Sequence, residues 1–301
     1  MPYVRTKHTF SNEEVKLYYE DLGEGQPVVL IHGWPLSGEM WEYQVAPLLL
    51  KGLRCITYDR RGFGKSSRPF HGYDYDTFAD DLKTILDELQ LKDIILVGFS
   101  MGGGEIARYL SKYGETNISK AVFISAVTPF MLKTDDNPEG VDESVFAEML
   151  QAIQNDRIDF LDTFGKQFFG INLLNHPVST PLLEYYHTIG SFASPIATQE
   201  CAKAFSQTDF RNDLQKITIP TLIIHGDADK TVPIDSSSKL TANLVANSEF
   251  IIYENAPHGL FYTHRQQLNN DLLRFITGAA TVELENDIPP DSVILPSNYP
   301  I

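Results

Sequence analysis

Short apolar runs alternate with segments of helical periodicity through the first 125 residues of the chain. The runs IILVGF at 94–99 and AVFIS at 121–125 contain almost no polar residue, which is typical of parallel strands buried on both faces. Between residues 77 and 89 the apolar residues recur every three or four positions, and this spacing predicts a helix with one buried face. The alternation predicts a parallel sheet covered by helices on both faces.

The same pattern gives bounds for the individual elements. It predicts eight strands, at 3–9, 15–20, 28–32, 55–58, 94–99, 121–125, 221–225 and 249–253. It predicts helices at 40–50, 77–89, about 103–113, near 236–245 and 260–277. The expected fold class is α/β, with a mostly parallel eight-stranded sheet.

The rhythm of strands and helices stops between residues 128 and 214, where the chain is rich in aromatic residues. We interpret this segment as a helical cap, inserted over the strand ends where such sheets bind ligands. The predicted core is then formed by 1–127 and 215–280. Residues 281–301 contain four acidic residues, four prolines and no lysine or arginine, so they are predicted to form an acidic C-terminal extension.

The chain is acidic, with 40 acidic and 24 basic residues and a formal net charge of −16. Such a charge repels phosphate backbones and anionic lipid surfaces, so neither nucleic acid nor a membrane is an expected partner. Hydrophobic residues make up 43% and charged residues 21% of the sequence, which is typical of a folded globular protein and excludes a disordered chain. The composition does not indicate which reaction or ligand the protein serves.

Redox and targeting features are few. The two cysteines, Cys55 and Cys201, allow at most one disulfide and show no metal-ligand spacing. No stretch reaches 18 consecutive apolar residues and the N-terminal segment has no apolar signal region, so a cytoplasmic location is the default expectation. The sequence leaves the oligomeric state open, a homo-oligomer included.

The segment GFSMG at 98–102 matches the pattern G-x-S-x-G and lies between an apolar strand and a predicted helix. A sharp turn there would strain the central residue, tolerate only small neighbours and raise the serine hydroxyl above the sheet. The alternative interpretation is a glycine-rich turn with a buried serine, because five-residue patterns also occur by accident. The strand-to-helix context favours Ser100 as a nucleophile.

A serine nucleophile needs a base to remove its proton and an acid to orient that base. His258 lies in a loop after the last predicted strand, and Asp229 follows the strand before it. The order Ser, Asp, His, each after a strand, is that of an α/β-hydrolase. Asp227 competes with Asp229 for the acid role, while His32, which also follows a strand, is expected to brace its own loop.

Attack on a carbonyl creates an oxyanion that needs two donors already pointing at it, and in this fold these are backbone N–H groups. Met101, directly after the nucleophile, is expected to supply one. Trp34 in the HGWP loop is the candidate for the other, since Pro35 has no N–H. A metal site at the two aspartates is the weaker interpretation, because no H-E-x-x-H or C-x-x-C-H motif accompanies them.

Six segments together resemble the cofactor-free haloperoxidases, also called perhydrolases or aryl esterases, of the α/β-hydrolase fold: HGWPLSGEMWE, YDRRGFGKSS, GFSMGGGE, TDFRNDL, PTLIIHGDADKTVP and ENAPHGL. The resemblance spans about residues 3 to 277 and is less clear in the cap, between 135 and 191. It implies a catalytic triad of Ser100, Asp229 and His258, with the second aspartate of the HGDxD segment preferred to Asp227.

The resemblance also implies roles around the triad. It assigns Trp34 and Met101 as oxyanion donors, and it assigns Phe205 and Val232 to the acyl pocket. It places Pro35 at a position that the family associates with perhydrolysis, where the proline carbonyl would help hydrogen peroxide reach the acyl-enzyme.

The implied activity is hydrolysis of small acyl or aryl esters through an acyl-enzyme. Hydrogen peroxide can replace water and release a peracid, which oxidises bromide or chloride in free solution. The implied partners are therefore a small ester or carboxylic acid and hydrogen peroxide, and no haem, vanadate, other metal or cofactor is expected. Some members of the family also open γ-lactams.

Other functions of this fold lead to different expectations. Epoxide hydrolases and haloalkane dehalogenases need an aspartate where Ser100 stands, so they are excluded. A C–C bond hydrolase of ring-cleavage products would share the serine triad and the lid, but would act on vinylogous diketones and form no peracid. A ligand receptor of the same fold would keep the triad and turn over very slowly.

Overall fold

The computed structural model describes residues 2–7 and 14–279. Within them one sheet contains β1 (Tyr3–Lys7), β2 (Glu14–Leu22), β3 (Pro27–Ile31), β4 (Arg54–Tyr58), β5 (Ile94–Phe99), β6 (Ile118–Ile124), β7 (Thr221–Gly226) and β8 (Ser248–Tyr253). The helices are α1 (Glu42–Leu50), α2 (Tyr75–Glu88), α3 (Met101–Tyr113), α4 (Glu143–Phe168), α5 (Thr180–Ser191), α6 (Pro195–Gln207), α7 (Arg211–Leu214), α8 (Ser238–Leu244), α9 (Leu260–Thr263) and α10 (Arg265–Thr277). The predicted acidic extension at 281–301 lies outside the described residues.

The strand order across the sheet is β1-β2-β4-β3-β5-β6-β7-β8. β2 runs antiparallel to both of its neighbours, and every pair from β4 to β8 is parallel. This confirms the predicted α/β class and its mostly parallel eight-stranded sheet. Because parallel strands end at the same edge, the loops that follow β3, β5, β7 and β8 meet there.

The central strands are buried on both faces, and successive side chains point to opposite sides of the sheet. In β3, Val29 and Ile31 pack in the apolar cluster that includes α2 and α3. The alternate residues, Val28 and Leu30, pack in a second cluster with α1 and α10. Two-sided burial is the physical reason that these strands have nearly continuous apolar sequences.

Several helix bounds differ from the predicted ones. α2 begins at Tyr75 rather than at 77, because the Asp74 side chain accepts a hydrogen bond from the Thr77 amide at 2.9 Å and caps the helix. α3 begins at Met101 rather than at 103, directly after the turn at Ser100. The predicted helix 260–277 is two helices, α9 and α10, since His264 with φ −120° interrupts it.

Between β6 and β7 the chain forms α4 to α7. α4 is kinked at Asp156, whose Oδ1 accepts hydrogen bonds from the amides of Ile158 and Asp159 at 3.0 Å each and restarts the helix. The second half of α4 packs on the loop after β3, where the rings of Phe164 and Trp34 are 5.2 Å apart. The division into a core and a separate cap at 128–214 stays a prediction.

Cys55 and Cys201 are both buried and free, so the one disulfide that the sequence allowed is not formed. No helix within residues 2–7 and 14–279 is long and apolar enough to cross a membrane. The cytoplasmic location stays a prediction, and the oligomeric state stays open.

Candidate active site

Ser100 lies in the turn between β5 and α3, with backbone angles of φ 54° and ψ −116°. A positive φ is unfavourable for a residue that has a Cβ. A Cβ on Gly98 would lie 2.6 Å from the carbonyl oxygen of Gly102, and a Cβ on Gly102 would lie 2.5 Å from that of Ile31. Only glycine fits at either position, which is the physical reason for the spacing of the motif.

Ser100, His258 and Asp229 form a hydrogen-bonded chain, although they are far apart in sequence. The Ser100 Oγ lies 3.0 Å from His258 Nε2, and His258 Nδ1 lies 2.6 Å from Asp229 Oδ2. Each residue follows a different strand, and all three are buried, with exposed fractions of 6%, 1% and 6% for Ser100, His258 and Asp229. This geometry allows the imidazole to take the serine proton while the carboxylate holds the imidazole in place.

Asp229, rather than Asp227, is the aspartate in contact with His258. Asp227 instead accepts a hydrogen bond at 2.6 Å from the amide of Asn255, in the loop that leads to His258. Within the described part of the chain, no group of three or more histidine, cysteine or acidic side chains could hold a metal ion.

The environment of Asp229 stabilises its ionised form. Its Oδ1 accepts hydrogen bonds from the amides of Thr231 and Val232, at 2.9 and 2.8 Å. Burial alone would raise the pKa of Asp229, but the contacts with His258 and His225 outweigh burial and hold the pKa below its usual range. The ionised carboxylate can therefore stabilise a positive charge that develops on His258.

His225, at the end of β7, is a residue that sequence reasoning left without a role. It is fully buried, its Nδ1 lies 2.7 Å from Ser238 Oγ, and its Nε2 lies 2.9 Å from the Val232 carbonyl. Because a carbonyl can only accept, Nε2 carries a proton. The sequence feature that could have pointed to His225 is its place in the HGDxD segment, which is one of the segments that carry the family resemblance.

The amides of Trp34 and Met101 are available to an anion. In the described ranges neither backbone N–H donates to an acceptor outside its own element. The indole Nε1 of Trp34 donates to the Thr198 carbonyl in α6 at 3.1 Å, and this bond ties the loop after β3 to the helices above it. Two unpaired amides beside a nucleophile are the chemical requirement of an oxyanion hole.

A buried ion pair lies beneath this loop and was also missed. Arg60 and Glu105 are 2.8 Å apart and neither side chain is exposed. Arg60 donates from its amide to His32 Nε2 and from Nη2 to the His32 carbonyl, both at 2.9 Å. Because Glu105 lies in α3, the pair connects the nucleophile helix to the loop of Trp34. The available signal was a charged residue in each of two glycine-containing segments, Arg60 in YDRRGFG and Glu105 in GGGE.

His32 braces the loop, as its position after a strand suggested. Its Nδ1 lies 2.8 Å from the carbonyl of Gly33, the residue directly before Trp34. Burial and the charge of Arg60 lower the pKa of His32 well below its usual range, so the ring is neutral and donates from Nδ1.

A cavity of about 360 Å³ opens over Ser100 and His258. Its apolar lining includes Trp34, Phe205 and Val232, whose roles at the site stay predictions, together with Val127, Met131, Val145, Phe146, Met149, Ala152, Phe160 and Phe164. The polar part of the lining is formed by Glu148, Thr163, Gln167, Lys230 and Thr231 beside Ser100 and His258. A cavity of this size with a mostly apolar lining suits a small molecule.

Pro35, expected in the substrate pocket, is not among the residues that line this cavity, and its role at the site stays a prediction. It lines a neighbouring cavity of about 20 Å³, together with Phe168 and Tyr186. Phe164 lines both spaces and stands between them. The smaller cavity has room for one molecule the size of water.

Comparisons with known proteins agree with this architecture. The family model of the α/β hydrolase fold matches residues 26–265. A Synechocystis sp. protein, named provisionally as a non-heme chloroperoxidase, is 49% identical over 92% of this chain and 100% of its own. A bifunctional esterase/perhydrolase from Acinetobacter calcoaceticus is 39% identical over 92% and 99% of the two chains. The crystal structure of a bromoperoxidase from Bacillus anthracis is 50% identical, with a TM-score of 0.87 over 91% of this chain and 99% of that one.

Proposed function

The chain belongs to the α/β-hydrolase fold family, among the non-haem haloperoxidases and perhydrolases, and on that premise we propose that it transfers the acyl group of small esters through Ser100 to water or hydrogen peroxide. The protein is an enzyme of this family. The observation that carries the proposal is the hydrogen-bonded chain from Ser100 through His258 to Asp229, at the floor of an apolar cavity.

Acylation begins when Ser100 Oγ attacks the ester carbonyl and His258 Nε2 takes the serine proton. The ionised Asp229 orients the ring and stabilises the imidazolium. The oxyanion accepts hydrogen bonds from the amides of Trp34 and Met101, which have no competing acceptor. His258 then gives its proton to the leaving alcohol, and the acyl group remains on Ser100.

Deacylation regenerates the serine. Water, deprotonated by His258, attacks the acyl-enzyme and releases a carboxylic acid. When hydrogen peroxide attacks instead, His258 takes one peroxide proton, the deprotonated oxygen bonds to the acyl carbon, the Ser100 ester bond breaks, and His258 returns that proton to Ser100. The product is a peracid, and the same acyl-enzyme chemistry would open a strained γ-lactam.

The cavity supports a particular substrate class. Its lining is mainly aromatic and aliphatic and its volume is about 360 Å³, which favours short acyl chains and aryl leaving groups over long-chain esters. Pro35 follows the oxyanion donor Trp34 and borders a space the size of one water. This position supports a role for Pro35 in admitting hydrogen peroxide.

A serine-directed organophosphate tests the nucleophile. It should add one adduct, at Ser100, and abolish hydrolysis of p-nitrophenyl acetate. Ser100→Ala should lower kcat by about 10⁴-fold or more, whereas Ser111→Ala, a surface substitution on the same helix, should leave kcat unchanged. Esterase activity that survives in Ser100→Ala would sink the proposal.

Perhydrolysis is separable from hydrolysis. Pro35→Leu should lower peracid formation far more than ester hydrolysis, because it alters the small cavity and spares the hydrogen-bonded chain at Ser100. Both rates are measured on the same p-nitrophenyl acetate reaction, with and without hydrogen peroxide. A parallel fall in the two rates would remove Pro35 from the proposal and leave the role of Ser100 intact.

A further inference from the structure

We propose that Met131 and Met149 are sites of turnover-dependent oxidation, where a peracid formed on Ser100 transfers an oxygen atom to a methionine thioether before it leaves the cavity. This inference rests on the proposed perhydrolysis. Each oxidised methionine weakens binding of the substrate. One enzyme molecule can therefore make only a limited number of peracid molecules before its affinity for the substrate falls.

The positions of the methionines carry the inference. The chain has five methionines, of which the described residues include four. Met131 and Met149 line the cavity that contains Ser100 and His258. Met40 and Met101 are both fully buried, and neither belongs to that lining. The protein therefore contains two thioethers that line the reaction space, of which Met149 is only partly buried, and two fully buried thioethers outside it.

The two cavity methionines come from separate elements. Met131 lies in the loop after β6, where its carbonyl accepts a hydrogen bond from the Val141 amide at 2.7 Å. It is only 2% exposed, so a reagent reaches its sulfur through the cavity. Met149 lies in the first half of α4, one turn after Phe146, which lines the same cavity. A product that leaves Ser100 therefore meets a thioether on both elements.

Thiols do not compete for the oxidant. Neither Cys55 nor Cys201 lines the cavity, and burial raises the pKa of the Cys55 thiol to about 12. Because the thiolate is the reactive form of cysteine, both residues are poor acceptors of oxygen. The thioether of methionine is polarizable and needs no deprotonation.

Oxygen transfer from the peracid to the methionine thioether needs no third reagent. A lone pair on the methionine sulfur attacks the outer peroxide oxygen of the peracid, and the O–O bond breaks. The sulfur is oxidised by two electrons to a sulfoxide, the peroxide is reduced, and the peracid proton ends on the carboxylic acid that leaves. The cavity then contains a polar sulfoxide where the substrate needs an apolar wall.

The experiment compares oxidation inside the cavity with oxidation from solution. The enzyme turns over p-nitrophenyl acetate with hydrogen peroxide in the presence of excess free methionine, which consumes peracid after release and reports its amount as free methionine sulfoxide. Peptide mass spectrometry then measures oxygen addition at each methionine of the protein. Ser100→Ala under the same conditions is the matched control for oxidation by peroxide itself.

We expect sulfoxide at Met131 and Met149 to rise in proportion to the peracid formed, ahead of Met40 and Met101, and to be absent in Ser100→Ala. The KM for p-nitrophenyl acetate should rise by about tenfold after oxidation, as expected when a polar group faces an apolar substrate. In Met131→Leu/Met149→Leu, the KM should stay at that variant's own starting value after the same exposure.

Failure of the oxidation inference and failure of the proposed perhydrolysis give different results in this experiment. If free methionine is oxidised but Met131 and Met149 are modified no faster than Met40 and Met101, the inference is wrong and the proposed function stands. If no free methionine sulfoxide forms above the Ser100→Ala level, perhydrolysis itself is wrong. Peracetic acid added to Ser100→Ala gives an independent arm, in which equal oxidation of all four methionines would also overturn the inference.

Discussion

One carboxylate oxygen of Asp229 contacts two imidazoles. His258 Nδ1 lies 2.6 Å from Asp229 Oδ2, and His225 Nε2 lies 3.2 Å from the same oxygen. On the other side of the His225 ring, the Ser238 Oγ lies 2.7 Å from Nδ1 and holds the ring in this orientation. His225 is therefore a positioning residue, which acts on the reaction through the acid rather than by contact with the substrate.

Replacing His225 tests this relationship. His225→Phe should lower kcat for p-nitrophenyl acetate by about 10- to 100-fold, the effect of losing one hydrogen bond to a charged group, with little change in KM. His225→Gln keeps an N–H near the position of Nε2 and should recover much of the loss. His264→Gln, outside the site, should retain the parent kcat, and an equal fall in all three variants would contradict the assignment.

The Arg60–Glu105 pair should contribute strongly to stability. Glu105→Ala leaves the fully buried Arg60 without its counter-charge, and should lower the free energy of unfolding by about 3–5 kcal/mol. Arg60→Met/Glu105→Leu, which removes both charges, should lose much less. Urea unfolding of the three proteins measures this. A double variant as unstable as Glu105→Ala would show that packing, not the unpaired charge, dominates.

Two glycine substitutions should have opposite effects. Gly102→Ala places a Cβ 2.5 Å from the Ile31 carbonyl oxygen, so it should lower the free energy of unfolding by about 1–3 kcal/mol and distort the Ser100 turn. Gly165→Ala, inside α4, places a Cβ 3.4 Å from a flexible Leu183 methyl and should raise stability by about 0.5–1 kcal/mol. Thermal unfolding and esterase rates check both.

The depressed pKa of Asp229 gives its stability contribution a defined pH dependence. A carboxyl group whose pKa is lower in the folded than in the unfolded chain stabilises the fold above its unfolded pKa of about 3.9 and loses that contribution as pH falls below it. The difference in unfolding free energy between the parent and Asp229→Asn should therefore be largest near neutral pH and shrink below about pH 4. Urea unfolding at several pH values measures the difference, and growth of the difference in acid would be contrary to this account.

The thiols should be unreactive in the folded protein. Cys55 and Cys201 are buried and free, and burial raises the pKa of both, that of Cys55 to about 12. A thiol reagent should titrate neither in the native enzyme and both after unfolding in guanidinium, without loss of esterase activity in the native state. Rapid inactivation would point to an open route to one of the cysteines.

The local sequence predicted the elements well where one physical cause dominates. The central strands needed two-sided burial, and the nucleophile turn needed glycine at positions 98 and 102, so both were evident as short patterns. Helix ends were predicted less well, because the Asp74 cap and the interruption at His264 depend on single hydrogen bonds and backbone angles. The sequence could not show which space Pro35 borders, since Trp34 and Pro35, although neighbours in sequence, line different cavities.

By itself the sequence determined the α/β class, the order of strands and helices, and the candidates Ser100, Asp229 and His258, because these follow from patterns over a few residues. It left Asp227 and Asp229 equivalent until the resemblance was considered. Tertiary structure alone decided that Asp229 meets His258, that His225 shares the same carboxylate, and that Arg60 in one loop pairs with Glu105 in α3. Those contacts join residues that are up to 45 positions apart, and side-chain distances between separate elements are set by packing of the whole sheet, which no local pattern records.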